Sequence, residues 1–184
     1  DPPQSHRFEY NRYGQVTHEF NPDGTILSYE YDESTGFKTA EHRGAPEHGE
    51  LVTRYYYDGS TAGRLGAPTH TELPDGQEPM DATYDERLLL VELVRGEMIE
   101  RRSYDTNGNE IYLSRKLEDG KFYEEINEYD QINFLRRTVV KNAEVDGELM
   151  DLETIFEPDL AKRVRTITYP GESVRTHEYD HLGN

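Results

Sequence analysis

Seven histidines and 38 acidic side chains give this 184-residue chain many groups that could bind a metal or move a proton, so spacing decides what chemistry is available. His177 and His181 stand four apart, the separation that puts two metal ligands on one helix face. They flank an expected turn rather than sharing a helix, and His6, His18, His42, His48 and His70 are scattered. The stretch Asp105-Thr106-Asn107-Gly108-Asn109-Glu110 offers closely spaced oxygens, as a calcium loop does, but its glycine stands fourth rather than sixth. Gly63-Arg64-Leu65-Gly66 lacks the Lys-Ser/Thr ending of a phosphate loop. There is no cysteine, so neither a thiolate metal site nor a disulfide can form. Serine never stands in a nucleophile-elbow context, and no carboxylate pair carries an apolar pocket signature. We therefore expect no catalytic residue, no cofactor and no metal, and the chain does not read as an enzyme.

Tyrosine is the abundant chemistry-bearing residue, at 14, with no tryptophan. Aromatic rings flanked by acids and amides suit a carbohydrate, which stacks on the ring and bonds to the polar rim. The same rings on neighbouring strands would stack as a ladder, a structural role. The ladder is the reading we expect, with a carbohydrate-binding face as the alternative.

Composition narrows the partners. The formal charge is -18, which argues against nucleic acid, whose phosphates call for clustered Lys and Arg. The longest apolar cluster, Leu88-Leu89-Leu90-Val91, ends at Glu92, so no membrane span is expected. Asp1-Pro2-Pro3-Gln4 has neither the basic start nor the apolar stretch of a signal peptide. Leu, Ile, Val and Phe make up about a fifth of the chain, close to the range of disordered sequences. The aromatic content of 11% points the other way.

Position then supplies what composition does not. An aromatic followed by an acid or amide recurs at Tyr10-Asn11, Tyr31-Asp32, Tyr57-Asp58, Tyr84-Asp85, Tyr104-Asp105, Tyr129-Asp130, Phe156-Glu157 and Tyr179-Asp180, in steps of 20 to 27 residues. Gly14, Gly36, Gly108 and Gly183 follow their pairs and supply the positive φ that closes a turn, while Asp or Asn bonds the backbone two residues on. Asn133 stands where the glycine would be after Tyr129-Asp130. A second turn falls between pairs, at Pro22-Asp23-Gly24, Pro74-Asp75-Gly76, Glu118-Asp119-Gly120, Val145-Asp146-Gly147 and Tyr169-Pro170-Gly171, and more loosely at Arg43-Gly44 and Arg95-Gly96. The runs between turns alternate as strands do. Leu27, Tyr29 and Tyr31 share one face, as do Leu51, Thr53, Tyr55 and Tyr57. Tyr123, Glu125, Asn127 and Tyr129 also share a face, which suits a sheet wetted on both sides. Helix is an option only over 84–100, and the continuing period favours strands there too.

A tandem Tyr-Asp unit with a glycine turn and a second Asp-Gly turn resembles the YD-repeat (Rhs-repeat) family, from about Phe8 to Asn184. Two units depart from the pattern: Tyr84-Asp85-Glu86-Arg87-Leu88 lacks the glycine, and Phe156-Glu157-Pro158-Asp159-Leu160 lacks Tyr, Asp and Gly. The family includes bacterial Rhs polymorphic toxins, toxin-complex B and C components, and teneurins. The resemblance implies an all-β fold of tandem β-hairpin repeats in a spiralling antiparallel sheet, part of a YD-repeat shell. Residues 1–184 would form one array of about eight units and roughly 15 strands, a segment of a longer protein. The implied partners are the remaining repeats of a parent chain and an enclosed toxin domain, in a secreted or cell-surface bacterial protein.

Overall fold

The structure is a computed structural model and describes residues 5–45 and 49–180. His48, His181 and Gly183, and with them most of the turn expected after Tyr179-Asp180, lie outside the described residues.

The chain runs as β1 (Arg7–Tyr10), β2 (Val16–Phe20), β3 (Ile26–Tyr31), β4 (Lys38–Ala45), β5 (Gly49–Tyr56), α1 (Thr61–Arg64), β6 (His70–Glu72), β7 (Met80–Tyr84), β8 (Leu90–Arg95), β9 (Met98–Tyr104), β10 (Glu110–Lys116), β11 (Phe122–Tyr129), β12 (Leu135–Val145), β13 (Glu148–Pro158), β14 (Val164–Thr168) and β15 (Val174–Thr176). These 15 strands follow one another in chain order in an antiparallel sheet, with β1 and β15 at its edges. The all-β fold of consecutive hairpins is the one expected from the Tyr-Asp period. Two compact bodies divide the chain, Asp1–Gly96 and Glu97–Asn184.

The stretch 84–100 holds the end of β7, all of β8 and the start of β9, the strands that the continuing period favours. Three local expectations need correction, the first being that helix is an option only there. A single helical turn forms instead at α1, in the long connection after Tyr57-Asp58. Ser60 caps it by accepting the Gly63 N–H at 3.1 Å, and Asp58 holds the Ser60 N–H at 2.9 Å. Second, Gly44 is no turn residue: it lies inside β4, opposite Glu50. Third, the seventh pair is misplaced by two residues. Pro158, not Phe156, stands where tyrosine stands in other repeats, and Asp159 makes the turn.

The core is thin. Among the described residues, Ala40, Ala62 and Val139 are the buried apolar ones, joined by the buried polar residues Thr71, Glu100, Ser114 and Asn127. No large side chain is fully enclosed among the described residues. With so little apolar burial, strand pairing and turn chemistry carry a large share of the stability.

Candidate functional site: the repeat turn and its tyrosine

One side chain organises each repeat turn. At Asn11, Asp85, Asp105, Asp130 and Asp159, Oδ1 accepts the N–H two residues on at 2.8–3.0 Å. The same oxygen accepts the N–H four residues on at 2.9–3.0 Å. The third residue's N–H returns to the Asx carbonyl at 3.0–3.2 Å. Asp32 varies the scheme by one extra residue: it binds the Ser34 and Thr35 N–H groups, and Gly36 closes the loop. The oxygens of Asp105 that a calcium ion would need are thus engaged by Asn107, and by the backbone and side chain of Asn109. Among the described residues, no group of three or more His, Asp or Glu is placed to hold a metal ion.

The third turn residue takes positive φ whatever its type. Gly14 and Gly108 do so at 80° and 88°, and so do Leu88, Asn133 and Lys162 at 62–65°. Leu88 thereby completes the turn that lacked its glycine. For a side chain with a Cβ this conformation costs about 1 kcal/mol or more. Lys162 is exposed and has little packing to lose. Lys162→Gly is expected to raise the unfolding free energy by about 0.5–1 kcal/mol, as read from urea denaturation. An unchanged or lower midpoint contradicts the strain.

Seven of the turn carboxylates are held in their charged form. Asp32 is drawn down to about 2, first by the Ser34 hydroxyl, then by the Thr35 backbone and hydroxyl. Backbone or side-chain donors likewise lower Asp23, Asp58, Asp85, Asp105, Asp119 and Asp159. A depressed folded value means the stabilisation is complete above the ordinary value of 3.8 and is lost as pH falls toward about 2. Circular dichroism from pH 5 to pH 2 should show β-structure lost progressively below about pH 4. Asp32→Asn should remove part of that dependence; retention of the full sheet at pH 2 contradicts it.

Tyrosine performs a second task that its sequence position does not reveal. At the turns of Tyr10, Tyr31, Tyr84, Tyr104 and Tyr129 the strand register slips by one residue beside the tyrosine, as between Glu9 and Tyr10, Glu30 and Tyr31, and Thr83 and Tyr84. The slip puts Val16 opposite Tyr10, Lys38 opposite Tyr31, and Val164 opposite Pro158. The next repeat's tyrosine hydroxyl reaches back to that residue's carbonyl. Tyr31 donates to Val16 O at 2.8 Å, Tyr57 to Lys38 O at 2.6 Å, and Tyr179 to Val164 O at 2.6 Å. Tyr84 donates to Pro68 O at 3.2 Å, beyond the α1 excursion. Each of these hydroxyls latches one repeat to the previous one where the ladder is interrupted. At these four residues a hydroxyl-to-carbonyl bond links the repeats, and Tyr57 adds a ring contact with Phe37.

In the C-terminal body a polar cluster fills one face. Buried Glu100 accepts Arg115 Nε at 2.8 Å and pairs with Arg102. Burial alone would raise its carboxyl, but the two guanidinium groups outweigh it and hold it low. Tyr123 donates to Glu125 at 2.6 Å, Asn127 donates to the same carboxylate, and Thr138 donates to Asn127. Burial and then Glu125 push the Tyr123 phenol up to about 12. Tyr129 belongs to the same strand face, with its phenol raised chiefly by burial.

The N-terminal body carries two open grooves. One, of about 680 Å³, lies between the first two repeat turns and is lined by Asn11, Tyr13, Gln15, Thr17, Tyr29, Tyr31 and Asp32, among others. The other, of about 390 Å³, is more apolar and is lined by Tyr55, Leu73, Met80, Tyr84, Leu90 and Leu93, among others. His177 stacks on Tyr179 at 6.4 Å, and its backbone N–H donates to Arg165 O.

No protein-family profile matches this sequence, and no curated protein does. Solved structures do match in fold. The crystal structure of TcdB2-TccC3-Cdc42 superposes with a TM-score of 0.74 at 14% identity, over 96% of this chain and 10% of that one. TcdB2-TccC3 without its hypervariable C-terminal region gives 0.75 at 14% identity, over 97% and 10%. No helix among the described residues is long and apolar enough to cross a membrane. The chain has the fold of a stretch of the TcdB2-TccC3 chains, an antiparallel strip of consecutive hairpins, and spans a tenth of their length.

Proposed function

We propose that this chain is a YD-repeat scaffold with no catalytic role. It would form part of the wall of a β-shell that encapsulates or presents a toxin or effector domain, in a secreted or surface-exposed bacterial protein. The observation that carries this reading is the latched strip. Tyr31, Tyr57, Tyr84 and Tyr179 each bond a carbonyl 15 to 19 residues back, which ties neighbouring repeats together within each body. Its likeness to a tenth of the TcdB2-TccC3 chains supports a part within a larger assembly, whose other repeats and enclosed domain would be the partners.

Limited proteolysis of the parent protein tests this. The segment beyond the repeats should resist protease in the intact protein and be cut quickly when expressed alone. Equal cleavage rates in the two forms rule out enclosure.

The first groove favours a second reading, a carbohydrate-binding face. Exposed Tyr13 stands beside the amides of Asn11 and Gln15. A glycan array with the wild-type chain and Tyr13→Ala discriminates. Binding that Tyr13→Ala abolishes supports the carbohydrate reading, and an array with no binding removes it.

A further inference from the structure

The hairpin of β12 and β13 runs past its neighbours. β12 pairs with β11 only as far as Lys141. β13 has 11 residues, of which only Ile155 to Pro158 pair with β14. The seven residues from Glu148 to Thr154 therefore have β12 on one side and, among the described residues, no strand on the other. Alternate residues of this stretch turn their N–H and C=O groups away from β12, which makes an open template for a further strand.

This edge lacks the devices that close the others. β1 and β15, the outer strands of the sheet, have only four and three residues. Glu148-Leu149-Met150-Asp151-Leu152-Glu153-Thr154 contains no proline, glycine or lysine. The nearby bulge lies on β12, where Lys141 and Asn142 oppose Asp151 and Asn142 takes a φ of 49°. Asp151 holds that bulge by accepting the Asn142 N–H at 3.1 Å and by pairing with Lys141. The distortion thus falls on the covered strand and leaves β13 regular.

Side-chain chemistry selects the occupant. Glu144, Asp146, Glu148, Asp151 and Glu153 put five acids and no cation between positions 144 and 153. Lys121, Lys141 and Arg137 meet Glu144, Asp151 and Glu153, all from the β11 and β12 side. A carboxylate accepts several donors, so the acids of β13 can take a second cation from the open side. A second copy of the chain would bring like charge to this edge, and like charges across a strand pair are destabilising. Leu149, Asp151 and Glu153 share one face of β13, and Met150 and Leu152 share the other. Leu149 and Met150 are exposed. A complementary strand therefore sets basic residues opposite Asp151 and Glu153 and apolar ones opposite Met150 and Leu152.

We propose that the free edge of β13, from Glu148 to Thr154, is a docking site for an extended basic segment of a partner protein, which adds there as an antiparallel strand. Main-chain hydrogen bonds hold the segment, and the alternation of acids and apolar residues on β13 selects its sequence.

Fluorescence anisotropy of the full chain with a dye-labelled peptide, Thr-Lys-Val-Lys-Val-Val-Lys, tests it. The peptide should bind saturably, and its counterpart with Glu for every Lys should not. Two further peptides carry N-methyl groups on alternate amides, in the two possible phases. One should bind and the other fail, because an added strand turns only every second N–H to the edge. Glu148→Lys combined with Leu149→Lys, at the exposed hairpin tip, should weaken binding by about 3- to 10-fold. Hydrogen exchange of the wild-type chain saturated with the peptide should show new protection over Glu148 to Thr154. No saturable binding, equal binding of the two N-methylated peptides, or protection elsewhere overturns the proposal. A concentration-dependent dimer that protects the same amides without peptide also overturns it, by assigning the edge to a second copy.

Discussion

Tyr57→Ala is expected to lower the unfolding free energy by about 2–3 kcal/mol, and Tyr57→Phe by about 1 kcal/mol. Two separate interactions set these figures. The ring lies 5.1 Å from that of Phe37 and is half-buried, so its removal leaves a gap in a sheet with little other apolar packing. A fully buried aromatic would cost more, about 3–5 kcal/mol. The hydroxyl donates to Lys38 O at 2.6 Å, and phenylalanine leaves that carbonyl without its tyrosine partner. Urea denaturation of the two variants separates the terms. If phenylalanine were as stable as tyrosine, the latch would contribute nothing and packing alone would explain the residue. A latch also predicts locality: exchange protection should fall first in β4 and β5, where the link is made.

Glu100→Gln is expected to cost about 2 kcal/mol. The carboxylate is 6% exposed and pairs with Arg115 at 2.7 Å and with Arg102. Losing one partner of a fully buried pair costs about 3–5 kcal/mol, because the other charge is stranded. Here both arginines keep partial access to water, at 30% and 48%, which reduces the penalty. Arg102 Nε also lies 3.5 Å from Glu110, which offers partial compensation. Urea is the denaturant of choice, since a salt would screen the arginines. A loss below about 0.5 kcal/mol would mean that water replaces the carboxylate, and that the cluster serves register rather than stability.

Much of this architecture was legible from residue types. Asp or Asn at the head of a turn, with Gly three residues later, is a local instruction, and Tyr10-Asn11-Gly14 and Tyr104-Asp105-Gly108 follow it. Asp146-Gly147 likewise forms the tight β12–β13 turn, with positive φ at both residues. Where the pattern weakened, reading it was harder. Leu88 and Lys162 occupy the positive-φ position because the Asx bonds hold the backbone there, so the turn survives without glycine. The Phe156-Glu157 pairing failed because an aromatic-acid pair is a weaker marker than the Asx side chain. Asp159 organises that turn with proline before it. The α1 excursion was invisible for a similar reason: its cap at Ser60 and its close packing of Gly63 on Asp58 depend on how the connection folds back.

Turn positions and strand count followed from chemistry within five residues, where an Asx side chain and a positive-φ residue reach only their own backbone. The tyrosine's real partner could not be read that way. Its carbonyl lies 15 to 19 residues back, and it becomes available only once a register slip has put that residue beside the turn. The bridges of His42 to Glu30 and Glu50, and of Glu100 to Arg115, likewise join residues whose nearness is set by strand pairing. Local chemistry bends the chain, but register, which depends on every strand at once, decides which side chains meet.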